Sequence, residues 1–404
     1  MKKLLAVILS ISILLTSSLV CSAATVSTEF EGADLETPLE ENLQANAAIG
    51  ETLQLGAKSA ILMEFNTGTI LYEQSADLKL PPASITKIMT LILVMEAIEG
   101  GKMSLEDKVT ASEHAASLGG SQIWLEEGEV MTVDELLRAT VIASANDATV
   151  ALAEAVSGSE EGFVAEMNKK AQALGMNNTH FVNSYGLDAE GHLTTARDIM
   201  IMSSELLKHE KITEYTTIWM DSLRNGETQL VNTNKLIRYY DGCFGLKTGT
   251  TSGAGSCLSA IAERDGLTLI AVVLGSPTSK ERFSATAKLL DFGFANYSFA
   301  EIEADTEGFS DILVRRGTTK QITPAVGEKF FALLEKGSEK DITQEIELPT
   351  ELTAPVREGE TVGYVHIMLG EEELGVIPIT ASTGSEALSF WYCLRRLLQS
   401  LFTL

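Results

Sequence analysis

Residues 81–101 read PPASITKIMTLILVMEAIEGG, with a pair of prolines at the start and a pair of glycines at the end. Proline suits the first position of a helix and glycine the position after its last residue, so this pattern predicts one helix from Ala83 to Glu99. Its residues are apolar nearly all round, which is typical of a helix surrounded by other elements. We therefore expect this helix to lie inside a domain.

Two further helices are predicted from capping patterns downstream. Thr132 with Glu135 precedes a helix over 133–142, and Thr195 with Asp198 precedes one over 199–208. In both pairs a hydroxyl is followed three residues later by a carboxylate, which is a signature of a helix start.

Strand patterns lie on both sides of these helices. The turn sequence Asn66-Thr67-Gly68 predicts an N-terminal hairpin, and three apolar runs after Asp241 predict an antiparallel meander. A helix from Lys280 to about Phe294 follows the meander. These elements predict one antiparallel sheet flanked by helices. The predicted strands are 59–65, 69–73, 243–250, 257–262 and 267–274.

The C-terminal part of the chain has a different pattern of apolar residues. Short alternating apolar runs predict a small all-β domain at 299–380, and residues 381–404 end in an amphipathic helix from Ala387 to Leu404. A polar stripe with two arginines opposite a broad aromatic and leucine face favours a helix that lies in a membrane interface. The alternative is a terminal helix docked on the protein body. The stripe consists of Tyr392, Arg395, Arg396, Gln399, Ser400 and Thr403.

The N-terminal residues predict export. Lys2 and Lys3 precede an apolar run from Leu4 to Leu15, and small residues end the segment at Ala24, so residues 1–24 form an expected signal peptide. The alternative is an uncleaved anchor, although this run is shorter than the ~20 residues that a spanning helix needs. Residues 25–52 contain acidic but no basic side chains, which predicts a solvated leader.

Composition excludes several classes of function. The 404 residues include 30 Lys and Arg against 56 Asp and Glu, a formal net charge of −26 that repels the phosphate backbone of nucleic acid. The chain has no GxSxG, HExxH, GxxxxGKS/T or GxGxxG motif, and its five histidines lack paired metal spacing. We therefore predict no nucleic-acid partner, no metal and no cofactor. Cys243 and Cys257 are either a pair on neighbouring strands or two small buried thiols.

With these motifs absent, a serine nucleophile with a lysine as its base is the remaining candidate chemistry. The first turn of the buried helix contains both residue types. Ser84 and Lys87 are three residues apart and so share one helix face. An ordinary lysine, with a pKa of about 10.4, is almost fully protonated at neutral pH and cannot accept a proton. Burial among apolar side chains lowers the lysine pKa, and the helix start favours negative charge on the serine oxygen.

Two further motifs complete a candidate active site. Ser144-Ala-Asn146 lies between two predicted helices, where a hydroxyl and an amide side chain can point into a cleft. Lys247-Thr248-Gly249 lies on the first meander strand, whose edge can pair with an extended peptide, while the glycine permits close approach. SxxK alone occurs by chance, but the three motifs in this order on these elements are specific. The alternative for Ser144 is an ordinary helix cap.

These motifs resemble those of the penicillin-binding protein and β-lactamase superfamily. The chain is most similar to the low-molecular-weight D-alanyl-D-alanine carboxypeptidases, over Pro82–Thr90, Ala143–Ala148, Met176–Gly186 and Gly245–Gly255. The resemblance implies the penicillin-recognising fold. That fold is α+β, with an antiparallel five-stranded sheet flanked by helices plus a helical subdomain. Residues 53–298 would form this catalytic domain, followed by the small all-β domain and the amphipathic helix.

The resemblance also implies a role for each motif residue. Ser84 would be the acylated nucleophile, Lys87 its base, and Ser144 the proton relay to the leaving amine. Asn146 would hold the substrate amide, and the N–H groups of Ser84 and Thr250 would form the oxyanion hole. The substrate's terminal carboxylate would be bound on the strand by Lys247, Thr248, Gly249 and Thr250. Arg282 matches a carboxylate-side arginine in some relatives, and its alternative is a surface arginine.

The implied substrate is a peptidoglycan stem peptide that ends in D-Ala-D-Ala, and β-lactams would acylate the same serine. Residues 176–194 contain no motif that resembles the deacylating glutamate of serine β-lactamases, which disfavours that activity. A transpeptidase and a non-catalytic wall-binding protein remain as alternatives. The implied location is the outer face of the cytoplasmic membrane or the cell wall.

Overall fold

Five antiparallel strands form the sheet that positions the site. The computed structural model describes residues 53–402, so the expected signal peptide and acidic leader lie outside the described residues. The strand order is β2-β1-β9-β8-β7, which confirms both the N-terminal hairpin and the meander, and leaves β7 at one edge. The strands are β1 (Ser59–Glu64), β2 (Ile70–Gln74), β7 (Cys243–Thr251), β8 (Gly255–Arg264) and β9 (Leu267–Ser276).

Helices cover both faces of this sheet and form a helical subdomain beside it. The chain also has a π-helical turn at Ala139–Ala143 and 3-10 turns at Arg224–Gly226 and Glu339–Asp341. The α-helices are α1 (Lys87–Glu99), α2 (Glu113–Ala116), α3 (Val133–Arg138), α4 (Asn146–Ser157), α5 (Glu160–Ala173), α6 (Ala196–Leu207), α7 (Ile212–Thr216), α8 (Leu236–Tyr239), α9 (Ser279–Asn296) and α10 (Phe390–Phe402). Two small two-stranded sheets pair β3 (Lys108–Thr110) with β4 (Val130–Thr132) and β5 (Met220–Leu223) with β6 (Thr228–Val231).

Alternation along the strands divides the core into two layers. Ile61, Ile270 and Val272 face a core that contains α1 and the helical subdomain. Leu62 and Leu269 point the other way, into a core shared with α9. Successive strand residues point to opposite faces, so a sheet covered on both sides needs apolar residues at nearly every position. Burial of every residue of β9 meets that requirement.

The helix predicted at 83–99 is present but begins differently. Ala83–Thr86 is a 3-10 turn, and the α-helix proper begins at Lys87. Ala83 has φ +50°, which no α-helical residue adopts, so the chain enters the helix through a tighter turn. The prediction that the helix is buried is confirmed, because ten of its thirteen α-helical residues are buried.

The two capping predictions differ in outcome. Thr132 and Glu135 form the full reciprocal box at the start of α3, although regular α-helix stops at Arg138 and a π-turn follows. Thr195 caps α6, which begins at Ala196, earlier than predicted. The Asp198 carboxylate does not complete a box, because it accepts hydrogen bonds from the backbone N–H of Asn178 and from the Thr179 hydroxyl.

The C-terminal part is all-β, as predicted. It contains three sheets, with strand orders β10-β14, β12-β11-β16 and β13-β18-β17-β15, around two small apolar cores. The first strand already begins at Tyr297, directly after α9. The strands are β10 (Tyr297–Ile302), β11 (Ile312–Arg315), β12 (Gln321–Ile322), β13 (Pro324–Ala325), β14 (Phe330–Glu335), β15 (Ile342–Glu347), β16 (Glu351–Thr353), β17 (Thr361–Leu369) and β18 (Glu372–Ala381).

The C-terminal helix α10 follows this domain and keeps its apolar face in solvent. Phe390 and Trp391 are 73% and 75% exposed, and Leu397 and Leu401 are exposed as well. Near the start of the helix, the Tyr392 hydroxyl donates to the carbonyl of Thr318 at 3.4 Å. Across residues 53–402, no helix is long and apolar enough to span a bilayer.

The structure decides between the two alternatives for the cysteines. Cys243 on β7 and Cys257 on β8 are buried free thiols. Cys243 pairs in register with Ala262 and Cys257 with Gly249, so the two residues are not opposite one another on the neighbouring strands.

Candidate active site

The turn that carries Ser84 is fixed by two glycines from other parts of the chain. Gly249 on β7 packs so closely that a Cβ there would lie 2.9 Å from the amide nitrogen of Ser84. Gly186, with φ +95°, lies against the same turn, and a Cβ there would overlap the carbonyl oxygen of Ala83. Both positions therefore require glycine, and Ser84 itself is half-buried between them.

Lys87 lies directly below the serine and is fully buried. Its Nζ is 3.1 Å from Ser84 Oγ and 2.7 Å from both Asn146 Oδ1 and the carbonyl oxygen of Tyr185. A neutral amine has two N–H groups and one lone pair. The amide oxygen and the carbonyl oxygen each accept one N–H, which leaves the lone pair for the proton of the serine hydroxyl.

The electrostatics of the site favour that neutral form. Burial lowers the pKa of Lys87 well below its usual value, and the positive charge of Lys247 lowers it further, while the Asp147 carboxylate acts in the opposite direction. Desolvation disfavours a charged lysine, so the group gives up its proton more readily than a lysine in water does. The predicted proximity of Ser84 to an uncharged Lys87 therefore agrees with the geometry and with the direction of the pKa shift.

A second lysine and serine face the first pair. Lys247 Nζ donates to Ser144 Oγ at 2.7 Å and to the carbonyl of Thr248 at 3.2 Å. Burial and the charge of Arg282 lower the pKa of Lys247 to about 7. Ser144 ends the π-turn with φ +61°, and the N-cap of the next helix, α4, is Ala145, so Ser144 is not the N-cap that the sequence left open.

Asn146 links the two halves of the site through both ends of its side-chain amide. Its Oδ1 accepts from Lys87, and its Nδ2 donates to the carbonyl of Gly119 at 2.7 Å. Its backbone N–H bonds to the carbonyl of Ser121 at 2.7 Å, which attaches the 119–121 loop to the site. The predicted contact with a substrate amide would have to use the second N–H of Nδ2.

Strand β7 presents the third motif at the sheet edge. Thr248 Oγ1 donates to Thr233 Oγ1 at 2.7 Å, and Thr250 Oγ1 donates to the carbonyl of Gly249 at 2.8 Å. Gly249 brings the β7 backbone beside the Ser84 N–H, which puts the two expected oxyanion donors on adjoining pieces of chain.

Arg282 lies under this edge and is not a surface arginine, since it is only 5% exposed. Its guanidinium donates to the carbonyls of Gly249 and Cys257 and to Thr250 Oγ1, at 3.1 to 3.3 Å. Burial lowers its pKa to about 10. Arg282 therefore orients β7 and adds positive potential behind Lys247.

Sequence reasoning missed several groups that complete the site. The carbonyl of Tyr185 and the hydroxyl of Thr233 contact motif residues directly. Asp147 is buried and accepts from the backbone N–H groups of Ile123 and Leu125, which fixes the loop beside Asn146. A backbone carbonyl carries no residue-type signal, and no sequence pattern connects Thr233 with Thr248. Asp147 had a weak signal, because it directly follows Asn146.

Two lysine–serine pairs between a sheet edge and a helical subdomain define a serine enzyme of acyl transfer. A family model described as D-alanyl-D-alanine carboxypeptidase matches residues 44–278, and one described as the C-terminal domain of penicillin-binding protein 5 matches residues 301–386. The chain belongs to the D-alanyl-D-alanine carboxypeptidase family. It is accordingly a serine-type D-Ala-D-Ala carboxypeptidase with the fold of penicillin-binding proteins.

Individual relatives agree with this assignment. The chain is 44% identical over 344 residues to the D-alanyl-D-alanine carboxypeptidase DacF of Bacillus subtilis (strain 168), which covers 84% of this chain and 88% of DacF. Penicillin-binding protein 5 from Haemophilus influenzae superposes with a TM-score of 0.68 at 30% identity, over 82% of this chain and 98% of that one. Penicillin-binding protein D2 from Listeria monocytogenes, in its ampicillin-bound form, superposes with a TM-score of 0.56 at 35% identity. The match covers 60% of this chain and 99% of that one.

Proposed function

We propose that this carboxypeptidase acts through an acyl-enzyme on Ser84 with Lys87 as the general base. The observation that carries the proposal is the buried Lys87 amine, 3.1 Å from Ser84 Oγ, with acceptors for both of its N–H groups. The Ser84 proton moves to Lys87 while Oγ forms a bond to the carbonyl carbon between the two D-alanines. The oxyanion that forms is bound by the N–H groups of Ser84 and Thr250.

Departure of the leaving group completes acylation. Ser144, which accepts a hydrogen bond from Lys247, relays the proton that Lys87 took from Ser84 to the leaving amine, the C–N bond breaks and D-alanine departs. Water then adds to the ester carbonyl, its proton returns through the same bases, and Ser84 is released with the shortened stem peptide. Asn146 holds the substrate amide through the second N–H of its Nδ2.

The positively charged edge of β7 binds the terminal carboxylate of the substrate. Lys247, Thr248, Gly249 and Thr250 line the edge that receives the peptide. Arg282 lies behind Gly249 and Thr250 and adds a second positive charge to that edge. An anion that enters this region restores charge balance to two buried cations, which favours binding of a substrate that ends in a free carboxylate.

β-Lactams are proposed as covalent inhibitors at the same serine. A strained lactam amide that acylates Ser84 keeps its leaving group tethered, so the ester is slow to be released. The relative from Listeria monocytogenes that was solved in an ampicillin-bound form supports this proposal.

Replacement of the nucleophile tests the mechanism. Ser84→Ala should abolish covalent labelling by a fluorescent penicillin and release of D-alanine from a diacyl pentapeptide, while the fold stays intact by circular dichroism. Mass spectrometry of the wild-type protein with penicillin should place one adduct on Ser84. Labelling that persists in the Ser84→Ala protein would reject the nucleophile, and penicillin binding without D-alanine release would indicate a non-catalytic wall-binding protein.

We further propose that the mature protein acts outside the cell and is held at the membrane surface by α10. The exposed aromatic and leucine side chains of α10, with Arg395 and Arg396 on its polar stripe, support an interfacial position. Export rests on the N-terminal segment 1–24. The peptidoglycan substrate of the family requires action at the same place.

A further inference from the structure

The carbonyl that accepts from Lys87 belongs to a short segment that is anchored at almost every residue. We name Asn183–Gly186 the strap. Thr90 Oγ1, one turn beyond Lys87 on α1, donates to the carbonyl of Ser184 at 2.6 Å. Asn183 Oδ1 accepts from the N–H of Gly186 at 2.6 Å, and Gly186 packs against the nucleophile turn. The strap therefore places the Tyr185 carbonyl relative to both Ser84 and Lys87.

A buried carboxylate that the mechanism does not use holds the middle of the strap. Glu160, in the first turn of α5, accepts from the N–H of Ser184 at 2.9 Å and from its hydroxyl at 2.8 Å through Oε1. Its Oε2 is 2.6 Å from Nε2 of His114. Glu160 is 8% exposed and Ser184 is fully buried. Burial of a carboxyl group is costly unless its oxygens are hydrogen-bonded, and here both oxygens of Glu160 have partners.

We propose that Glu160 and Ser184 are positioning residues for the general base of the acylation step. The carboxylate fixes the Ser184 peptide, and the next carbonyl along the chain, that of Tyr185, is thereby held 2.7 Å from Lys87 Nζ. If this carbonyl moves, one N–H of the neutral amine loses its acceptor and the lone pair no longer has to face Ser84. Neither Glu160 nor Ser184 contacts the substrate edge, so the effect acts on the rate of acylation and not on binding.

This inference rests on the proposed role of Lys87, and the experiment separates the two. Full-length mature protein carrying Ser184→Ala, Glu160→Gln or Glu160→Ala is mixed with a fluorescent penicillin, and stopped-flow labelling resolves the dissociation constant of the first complex from the acylation rate constant. We expect the acylation rate constant to fall about 10-fold in Ser184→Ala and Glu160→Ala, because small displacements of a catalytic group are costly. The dissociation constant should stay within about twofold.

Glu160→Gln supplies the conservative comparison. Its amide oxygen can still accept from Ser184, so its acylation rate should lie between those of wild type and Glu160→Ala. Glu205→Gln is the matched control, since Glu205 on α6 also accepts from two neighbours, Lys170 and Lys208, but has no contact with the strap. Its acylation rate should equal that of wild type.

The outcomes are distinct. An acylation rate constant that is unchanged in Ser184→Ala, or an equal loss in the Glu205→Gln control, overturns the positioning role. Lys87→Ala, measured in the same series, tests the proposed function itself. If Lys87→Ala acylates at the wild-type rate, the general base is wrong, whereas a loss in Lys87→Ala with no change in Ser184→Ala rejects only the role of the strap.

Discussion

At the scale of single residues, the site depends on two lysines that the fold has removed from water. Each lysine amine lies beside one serine hydroxyl. Each has a lowered pKa, so it gives up its proton more readily than a lysine in water does. The two lysines are not equivalent. The pKa of Lys87 is lowered by burial and by a neighbouring lysine, while the pKa of Lys247 is lowered by burial and by an arginine. Different protonation states suit a base and a carboxylate-binding cation.

Because Lys247 has a pKa of about 7, activity should depend on pH in a defined direction. Below that pH the free enzyme carries the ammonium that attracts the substrate carboxylate, and above it the charge is lost. We expect kcat/KM for a D-Ala-D-Ala peptide to fall as the pH rises through about 7, since kcat/KM reports the free enzyme. Steady-state assays of D-alanine release from pH 5 to 9 measure this.

Lys247→Gln is the control for the pH experiment. It carries no charge at this position at any pH, so its kcat/KM should be low throughout and should lack the decline near neutral pH. A wild-type profile that stays flat to pH 9 would contradict the prediction, and the same decline in the variant would assign the titration to another group.

Gly186 provides a second prediction at this scale. In Gly186→Ala the new Cβ meets the backbone of Ala83, so the strap must move away from the nucleophile turn. Gly191→Ala is matched, because Gly191 also has positive φ, at +79°, while the nearest atom to its Cβ would be 4.0 Å away. Both variants should lose on the order of 1 kcal/mol from backbone strain.

The clash should distinguish the two glycine variants. We expect Gly186→Ala to lose additional stability by thermal denaturation and to acylate at least about 10-fold more slowly than Gly191→Ala. Equal acylation rates in the two proteins would mean that close contact between the strap and the nucleophile turn is not needed for the reaction.

At the scale of elements, helix starts position the charged groups of the site. Lys87 begins α1, Asn146 begins α4, and Arg282 lies in the first turn of α9. The first turn of a helix is fixed by its cap and by tertiary contacts, because its N–H groups lack partners within the helix. Capping residues can therefore influence the site without touching it.

Thr278, the capping residue of α9, should show this effect. Its hydroxyl accepts from the N–H of Glu281 at 3.2 Å and donates to the Glu281 carboxylate at 2.8 Å, next to Arg282. Thr278→Ala should cost about 1 kcal/mol of stability, as is usual for a lost cap. It should also raise KM, since the frayed turn holds Arg282 less firmly behind β7.

Thr132→Ala provides the comparison, because it removes an equivalent cap from α3, which carries no site residue. Urea denaturation should give a similar loss of stability for both proteins, with KM changed in Thr278→Ala only. A rise in KM of the same size in Thr132→Ala would show that lower stability by itself weakens substrate binding.

At the scale of the whole molecule, the active site and the helix proposed to bind the membrane lie in different parts of the chain. The site lies between the sheet edge β7 and the helical subdomain, whereas α10 follows the C-terminal β domain. A mature protein that ends at Ser389 should therefore release D-alanine from a soluble pentapeptide at the wild-type rate. It should also lose co-sedimentation with anionic phospholipid vesicles.

Two substitutions in the full-length mature protein separate the contributions to membrane binding. Arg395→Gln with Arg396→Gln should weaken binding to anionic vesicles by about 1 kcal/mol per residue and leave neutral vesicles unaffected. Leu397→Gln with Leu401→Gln should weaken binding to both. Undiminished sedimentation of the protein that ends at Ser389 would refute attachment through α10.

Much of the fold followed from local patterns. Strand alternation, turn residues and helix caps predicted the N-terminal hairpin, the meander and the capped helices, because these signals depend on residues close in sequence. The 3-10 entry at Ala83 and the π-turn before Ser144 were missed. Both have contacts with distant residues: Gly186 and Gly249 pack against the nucleophile turn, and the N–H of Thr233 donates to the carbonyl of Ile142 in the π-turn.

The sequence by itself determined which residue types the site contains, their order along the chain and the need for an uncharged lysine. Only the tertiary structure decided how Lys87 reaches that state, through burial and the positive charge of Lys247. It also decided how the amine is oriented, through the carbonyl of Tyr185 and the amide of Asn146. It also decided that Arg282 is buried and that Glu160 holds the strap. The physical reason is that desolvation and hydrogen bonding act through space over a few ångströms, between site residues as far apart along the chain as Ser144 and Lys247, which are separated by 103 positions.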